Sequence, residues 1–344
     1  MRLLVTGGAG FIGSHFIRHW LKHHADDEVV TLDLLTYAGV RASVEELAGD
    51  PRHQFLQGDI CDPVTVQQAM QGCEIVVHFA AETHVDRSIT NAAPFVRTNV
   101  EGTQVLLRGA LEAEVKRFIH ISTDEVYGPI LDGAQTEEAS LAPRSPYAAS
   151  KAAADLLVHA YQQTHELPAL IIRPTNAFGP RQFPEKFIPV CITNALEDQP
   201  LPLYGDGLHR RGWLFVEDLC RAIERILEAG EVGTIYNVGS GGERANVDVA
   251  KLILQLLGKP QTLIQHVPDR PGHDRRYAMD DTKLRSLGWR PRVTFEDGLR
   301  ATIVWYRDHP QWWRPLKARL REDPYHWLHR TPGPSPRQAV GAVL

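Results

Sequence analysis

Cysteine is scarce: the chain has four (Cys61, Cys73, Cys191, Cys220), none of them in a C-x-x-C pair. Neither a zinc site nor a disulfide framework follows, no metal is expected, and a reducing cytoplasm fits best. Long apolar runs are also missing. No stretch approaches the ~20 residues of a membrane helix, and glycines interrupt MRLLVTGGAGFIGS too early for a secretory core. A soluble, cytoplasmic chain with no membrane partner is expected. Charge of one sign is nowhere concentrated, and the net charge is −5. Nucleic acid is therefore not an expected partner, because binding it needs a concentrated basic face. Internal repeats are absent.

What is present is an ordinary globular composition, 43% hydrophobic and 23% charged over 344 residues, enough for a large domain with a smaller lobe. Short apolar runs read as buried strands at Arg2–Thr6, Glu28–Leu32, Gln54–Gln57, Ile75–Phe79, Phe118–Ile121 and Ala169–Ile172. Helical patterns near Ile12–His23, Val64–Met70, Pro94–Leu111 and Tyr147–Thr164 separate them. This alternation predicts an α/β fold, a doubly wound (Rossmann) parallel sheet covered on both faces. After Arg173 the rhythm changes: prolines at 174, 180, 184, 189, 200 and 202 break the chain into short pieces. A further strand (Gly233–Val238) and helices near Val247–Leu257 and Glu296–Tyr306 follow. The expected division is 1–173 for the dinucleotide-binding domain and 174–315 mainly for a smaller mixed α/β substrate-binding lobe. Some later segments could return to the sheet. A C-terminal extension at 316–344 ends in a tail, Arg330–Leu344, rich in Pro, Gly and Ala and expected to be mobile.

Gly7, Gly10 and Gly13 stand in G-G-A-G-F-I-G, between the first strand and the first helix. The first glycine permits a tight turn, the second lets backbone approach a pyrophosphate, and the third lets helix and strand pack closely. The helix N-terminus, with Phe11 and Ile12, supplies amide donors. Asp33 lies 20 residues beyond Gly13. A carboxylate there accepts the ribose hydroxyls of an adenosine and repels a 2′-phosphate, so NAD is expected rather than NADP. Asp59 and Ile60 are expected beside the adenine, with Ala80 and Ala81 also against the cofactor.

Tyr147 and Lys151 share a helix face at positions i and i+4. A nearby ammonium favours the phenolate, making the pair a candidate proton acceptor. Asp124–Glu125 is a paired carboxylate. Mutual repulsion keeps one member protonated if their surroundings differ. Adjacent residues of a strand point to opposite faces, so the chain must turn at Thr123–Glu125 for both to reach one ligand.

Together the glycine loop, Thr123 and the Tyr147/Lys151 pair resemble the extended short-chain dehydrogenases/reductases. The blocks D-L-L-T-Y-A-G (Asp33–Gly39), A-A-E-T-H-V-D-R-S (Ala80–Ser88) and S-T-D-E-V-Y-G (Ser122–Gly128) are most similar to dTDP-glucose 4,6-dehydratases. So are Q-F-P-E-K (Gln182–Lys186), D-R-P-G-H-D-R-R-Y (Asp269–Tyr277) and L-G-W-R-P (Leu287–Pro291). The resemblance implies that Asp124 protonates the departing 6-hydroxyl and Glu125 removes the C5 proton. It also implies that Tyr147 takes the 4-hydroxyl proton, Lys151 tunes that phenol and orders the nicotinamide ribose, and Thr123 bonds the 4-oxygen. A nucleotide sugar would be held by His84, Arg87, Asn176, Glu185, Lys186, Arg211, Asn246, Arg270 and His273, in a homodimer.

Departures from the family pattern gather in the lobe. Gly212 replaces the usual aspartate, and Pro174, Thr175, Ala177 and Arg181 are also unusual. Other NDP-hexoses therefore stay open as substrates. A 4-epimerase or decarboxylase on the same scaffold would need Tyr147 and Lys151 but not the carboxylate pair. A non-catalytic NAD-binding regulator would usually have lost the tyrosine or the lysine.

Overall fold

The computed structural model describes residues 1–320, so the expected tail Arg330–Leu344 lies outside the described residues. The first half runs β1 (Arg2–Thr6), α1 (Phe11–His23), β2 (Glu28–Asp33), β3 (His53–Gln57), α2 (Pro63–Met70) and β4 (Ile75–His78). It continues with α3 (Val85–Thr90), α4 (Ala93–Phe95), α5 (Gly102–Glu112), β5 (Arg117–Ile121), α6 (Pro146–His165) and β6 (Ala169–Pro174). The second half holds β7 (Asn176–Phe178), α7 (Phe187–Leu196), β8 (Leu201–Tyr204), β9 (Arg210–Phe215), α8 (Val216–Ala229) and β10 (Ile235–Val238). After these come β11 (Glu243–Ala245), α9 (Asn246–Leu257), β12 (Ile264–Val267), α10 (Thr282–Ser286), α11 (Phe295–Asp308) and α12 (Pro310–Arg319).

Seven strands in the order β10-β6-β5-β4-β1-β2-β3 form one sheet in which every pairing is parallel. Parallel strands need both faces covered, which is why they read as continuous apolar runs. Phe16 and Trp20 of α1, with Leu219 and Ile223 of α8, cover one face. Met70 of α2, Leu106 and Leu107 of α5, and Val158 of α6 cover the other. The strand order reverses between β1 and β4, which opens a crevice beyond their carboxyl ends. The expected doubly wound α/β fold is what the chain adopts.

A second body holds a three-stranded sheet, β11-β9-β7, and a two-stranded one, β12-β8. Its own core includes Phe178, Ile192, Ile253, Tyr306 and Trp313, contributed by β7, α7, α9, α11 and α12. Chain beyond Arg173 serves both bodies. Helix α8 packs on α1, β10 pairs with β6, and Leu284 and Trp289 join the same core layer of the main sheet.

Three local differences from the sequence reading have physical causes. The proline-broken stretch after Arg173 contains α7, with Pro189 in its first turn, where a missing N–H leaves no hydrogen bond unmade. Helix α8 has an apolar face of Leu219, Cys220, Ile223 and Ile226, and although Gly230 follows its last residue, no proline or capping side chain announces its start. The single helix expected over Pro94–Leu111 is divided by a π-helical stretch, Val96–Glu101, which re-aims Asn99 into the interior.

Helix α12 closes the lobe through Trp313, which is 1% exposed and donates its indole N–H to the Tyr306 carbonyl at 2.7 Å. Trp313→Ala should lower stability by about 3–5 kcal/mol. Urea unfolding should show a lower midpoint with an unchanged slope. A midpoint within error of the parent would show that α12 does not belong to the core.

Candidate active site

The glycine loop is packed to the point where side chains cannot enter. Gly7 has φ +70°, and a Cβ there would lie 2.6 Å from the Ala80 amide nitrogen. A Cβ on Gly13 would lie 2.4 Å from the Gly7 carbonyl oxygen. Gly10 caps α1 without a side chain, so the first helical amides, Phe11 and Ile12 among them, point into the crevice. Asp33 is 7% exposed, and its oxygens accept from the amides of Ala9 at 2.9 Å and Leu35 at 2.8 Å. Burial raises its pKa, the two amides acting against that. A cavity of about 290 Å³ runs along this loop. It is lined by all ten residues expected around the dinucleotide, and by Thr123, Asp124, Glu125, Tyr147 and Lys151.

The turn required at the end of β5 is present. Thr123 is extended and caps a short 3₁₀ turn, Asp124–Tyr127, its hydroxyl accepting from the Glu125 amide at 3.3 Å. The turn swings both carboxyl groups toward one cavity. Asp124 is 3% exposed, and burial first, then the charge of Glu125, pushes its carboxyl up to about 7. Glu125 is half-buried at the cavity wall. Burial raises it as well, but Arg270, Arg211 and Lys186 all favour its charged form. Both carboxyls are thus raised above their ordinary values, Asp124 to about 7, while the three basic side chains around Glu125 oppose the rise there.

Tyr147 and Lys151 lie on α6, which Ser145 caps and whose Tyr147 amide donates to Ser88 Oγ at 3.1 Å. Burial raises the phenol pKa, Glu125 adds to this, and the Thr123 hydroxyl opposes it. Burial lowers Lys151 to about 8. Its ammonium donates to the Ile121 carbonyl at 2.7 Å and faces His120 Nε2 at 3.5 Å. The ammonium is thus directed at the end of β5.

Several residues that matter here carry no motif. Asp155, one turn beyond Lys151 on α6, accepts from Arg173 Nε at 2.9 Å and sits 3.3 Å from His120 Nε2. Burial alone would raise that carboxyl, yet His120 and Arg173 hold it below its ordinary value. A buried charge thus lies beneath Lys151. Asn99 ties the Glu82 loop to Ser150 of α6 through bonds of 2.8–3.0 Å. Thr175 Oγ1 is 3.2 Å from both Asp124 Oδ2 and the Gly212 carbonyl, and its one hydrogen can serve only one of them. A Cβ at position 212 would come 2.6 Å from that hydroxyl, so Gly212 and Thr175 fit as a pair.

A second cavity of about 180 Å³ shares Glu125, Asn176, Glu185 and Lys186 with the first and continues to His84, Arg211, Asn246, Arg270 and His273. Arg211 is fixed by the carbonyls of Arg210 and Asp274 at 2.8 Å, and Arg270 by Asp86 at 3.2 Å. His84 caps α3, and His273 stacks on His209 at 3.6 Å. The side-chain oxygens of Asn176 and Asn246 are buried without a hydrogen-bond partner among the described residues. Arg87 differs from the expectation of a substrate contact. It lines neither cavity, donating instead to Glu185 at 3.1 Å and covering the Tyr37 ring at 4.0 Å.

Comparison with known proteins matches residues 4–302 to the family model GDP-mannose 4,6 dehydratase. A dTDP-glucose 4,6-dehydratase of Streptomyces niveus is 51% identical, covering 92% of this chain and 96% of the relative. The low-salt glycan biosynthesis protein Agl12 of Haloferax volcanii is 53% identical, covering 89% and 98%. Among solved structures, the Streptomyces venezuelae dTDP-glucose 4,6-dehydratase DesIV, with NAD and TDP bound, is 50% identical with a TM-score of 0.90. It covers 92% of this chain and 100% of that one.

Because the Asp124 carboxyl is raised from 3.8 to about 7, its contribution to stability is full below pH ~4 and is lost as pH rises through 7. Asp124→Asn removes that loss. The melting temperature of the variant, relative to the parent, should climb by several degrees between pH 5 and pH 8. A flat difference over that range would place the Asp124 carboxyl in water.

Proposed function

The chain belongs to the GDP-mannose 4,6 dehydratase family, and from that premise we propose that it is an NAD-dependent 4,6-dehydratase of dTDP-glucose. The observation that carries the reading is the convergence of two adjacent carboxyl groups, Asp124 and Glu125, on the cavity that Tyr147 and Lys151 line. An epimerase or decarboxylase has no use for such a pair.

The loop fits NAD because its close packing leaves backbone alone to face a diphosphate. Gly7, Gly10, Phe11, Ile12 and Gly13 would hold that diphosphate, Asp33 the adenosine ribose, Asp59 and Ile60 the adenine, and Lys151 the nicotinamide ribose. Ala80 and Ala81 form the facing wall. Bound there, NAD would accept a hydride from the hexose and return it, and its positive ring would draw the Tyr147 phenol toward ionisation.

The chain's own groups handle protons and position. Thr123 and Tyr147 hold the 4-hydroxyl, and Tyr147 takes its proton. Glu125, whose charged form Arg270, Arg211 and Lys186 favour against the effect of burial, removes the C5 proton once the neighbouring C4 ketone has made it acidic. Asp124, still protonated near neutral pH, delivers its proton to the departing 6-hydroxyl. Lys186, Arg211, Arg270 and Asn176 face the substrate diphosphate, while Asn246, His273 and His84 surround the rest of the nucleotide. Arg87 acts through Glu185 rather than on the sugar.

A homodimer through α5 and α6 completes the proposal. Leu156 on α6 is 60% exposed and Val96, just before α5, 55%, an apolar face consistent with a partner subunit. No helix among the described residues is long and apolar enough to cross a membrane, which agrees with a cytoplasmic setting.

Purified protein should convert dTDP-glucose to a 4-keto-6-deoxy sugar that absorbs strongly in alkali, without added stoichiometric NAD. Tyr147→Phe should slow NADH appearance in single turnover by about 10²-fold or more, and NADH at the parental rate would remove the phenol from the mechanism. Glu125→Gln should suppress C5 exchange with solvent deuterium by a similar factor while C4 oxidation continues. Undiminished exchange would overturn the role given to Glu125.

A further inference from the structure

The flank of α1 toward α8 carries chemistry that dehydration does not use. His15, His19 and His23 recur every fourth residue along α1, and His24 follows directly. His15 is committed to the Pro180 carbonyl at 2.9 Å. The other three gather where α1 packs against α8, around Glu224. One Glu224 oxygen lies 2.8 Å from His19 Nε2 and the other 2.9 Å from His24 Nε2. The rings of His19 and His23 are 4.4 Å apart between centroids. His23 Nδ1 lies 2.8 Å from the His19 carbonyl, which makes it the N–H and leaves Nε2 with its lone pair. One ligand atom each from His19, His23 and Glu224 lie within 4.8 Å of one another, and the same holds for His24, Glu224 and Glu228.

We propose that His19, His23 and Glu224 form a zinc-class transition-metal site, with His24 as a fourth ligand, that clasps α1 to α8. Two histidines at i and i+4 on a helix present their imidazoles on one side, the spacing by which helices hold zinc. Two or three imidazoles with one carboxylate suit Zn²⁺, Ni²⁺ or Cu²⁺, whereas Mg²⁺ and Ca²⁺ want oxygen ligands. Tetrahedral bonds of about 2.1 Å separate neighbouring ligands by roughly 3.3 Å. The present contacts of 2.8 and 2.9 Å need to open only slightly, and exposed His23 is free to swing inward. With metal in place, His19 takes the tautomer whose hydrogen is on Nδ1. The side chains of His19, Glu224 and His24 keep 13%, 19% and 21% exposure, so the group is sheltered yet open to solution. Because α1 begins at the glycine loop, a clasp between α1 and α8 secures the helix that presents that loop.

The competing explanation is a plain hydrogen-bonded cluster in which Glu224 joins the two helices without metal. His23 separates them, since its recorded side-chain hydrogen bond runs to the His19 carbonyl rather than to Glu224. The full-length enzyme, stripped with a chelator, should bind one equivalent of Zn²⁺ by calorimetry with a dissociation constant in the micromolar range. Its melting temperature should rise with Zn²⁺ and not with Mg²⁺. His23→Gln should melt within about a degree of the metal-free parent, since exposed substitutions change little, yet bind Zn²⁺ at least tenfold more weakly. Absence of stoichiometric binding below 1 mM, or equal affinity in parent and His23→Gln, would overturn the proposal.

Discussion

Two adjacent carboxyl groups share one dry wall, and there is not enough water or positive charge to ionise both. That constraint organises the site. Asp124 points where its nearest polar contacts are the hydroxyls of Thr123 and Thr175, each 3.2 Å away, and neither can stabilise an anion as a cation would. Arg211 favours the charged form of Asp124, while Arg270, Arg211 and Lys186 all favour that of Glu125. One residue of sequence separates a carboxyl raised to about 7 from one where three basic side chains oppose the rise that burial causes. The device that makes this difference is a turn: Thr123 ends the extended chain and Gly128 leaves the 3₁₀ segment at φ +72°. A Cβ at Gly128 would lie 2.3 Å from the Ala142 carbonyl oxygen, so the exit from the turn admits no side chain.

The rest of the fold brings the remaining groups to that turn. Strand β5 ends beside the crevice where the sheet order reverses, and α6 returns across it carrying Tyr147 and Lys151 on one face. Ser145, Ser88 and Ser150 fix the rotation of that helix. Below it, the buried Asp155–Arg173 pair joins α6 to β6, and His120 completes the link to Lys151. The second body then supplies Thr175 and Arg211 from above. Both bodies border on Asp124 and Glu125, so the electrostatic difference between the two depends on how the lobe is seated.

The parts of this arrangement that depend on local chain geometry were legible in the sequence. A glycine triplet between a strand and a helix, a carboxylate at the end of the next strand, and a tyrosine four residues before a lysine all specify their own placement. The need for a turn at Thr123–Glu125 could be argued from strand geometry alone, and the structure contains it. Groups that meet only through tertiary packing were not legible. Asp155 and His120 are separated by 35 positions and look like ordinary helix and strand residues. Thr175 and Gly212 read as two unrelated departures from the family pattern, yet they are a matched pair across β6–β7 and β9. Arg87 sits within a conspicuous block, which suggested contact with substrate, while the fold turns its guanidinium onto Tyr37 and Glu185. Helix α7 was obscured because a proline in a first helical turn and a proline in a loop look the same in sequence.

The account stands on the protonation state of Asp124 in the folded protein. Carbon-13 NMR of the enzyme labelled at aspartate carboxyls, with the resonance assigned by its loss in an Asp124 variant, reads that state directly. The carboxyl should titrate with a midpoint near 7, well apart from the exposed aspartates. A midpoint near the ordinary value of 3.8 would mean that Asp124 is ionised at working pH. No acid would then be available for the departing hydroxyl.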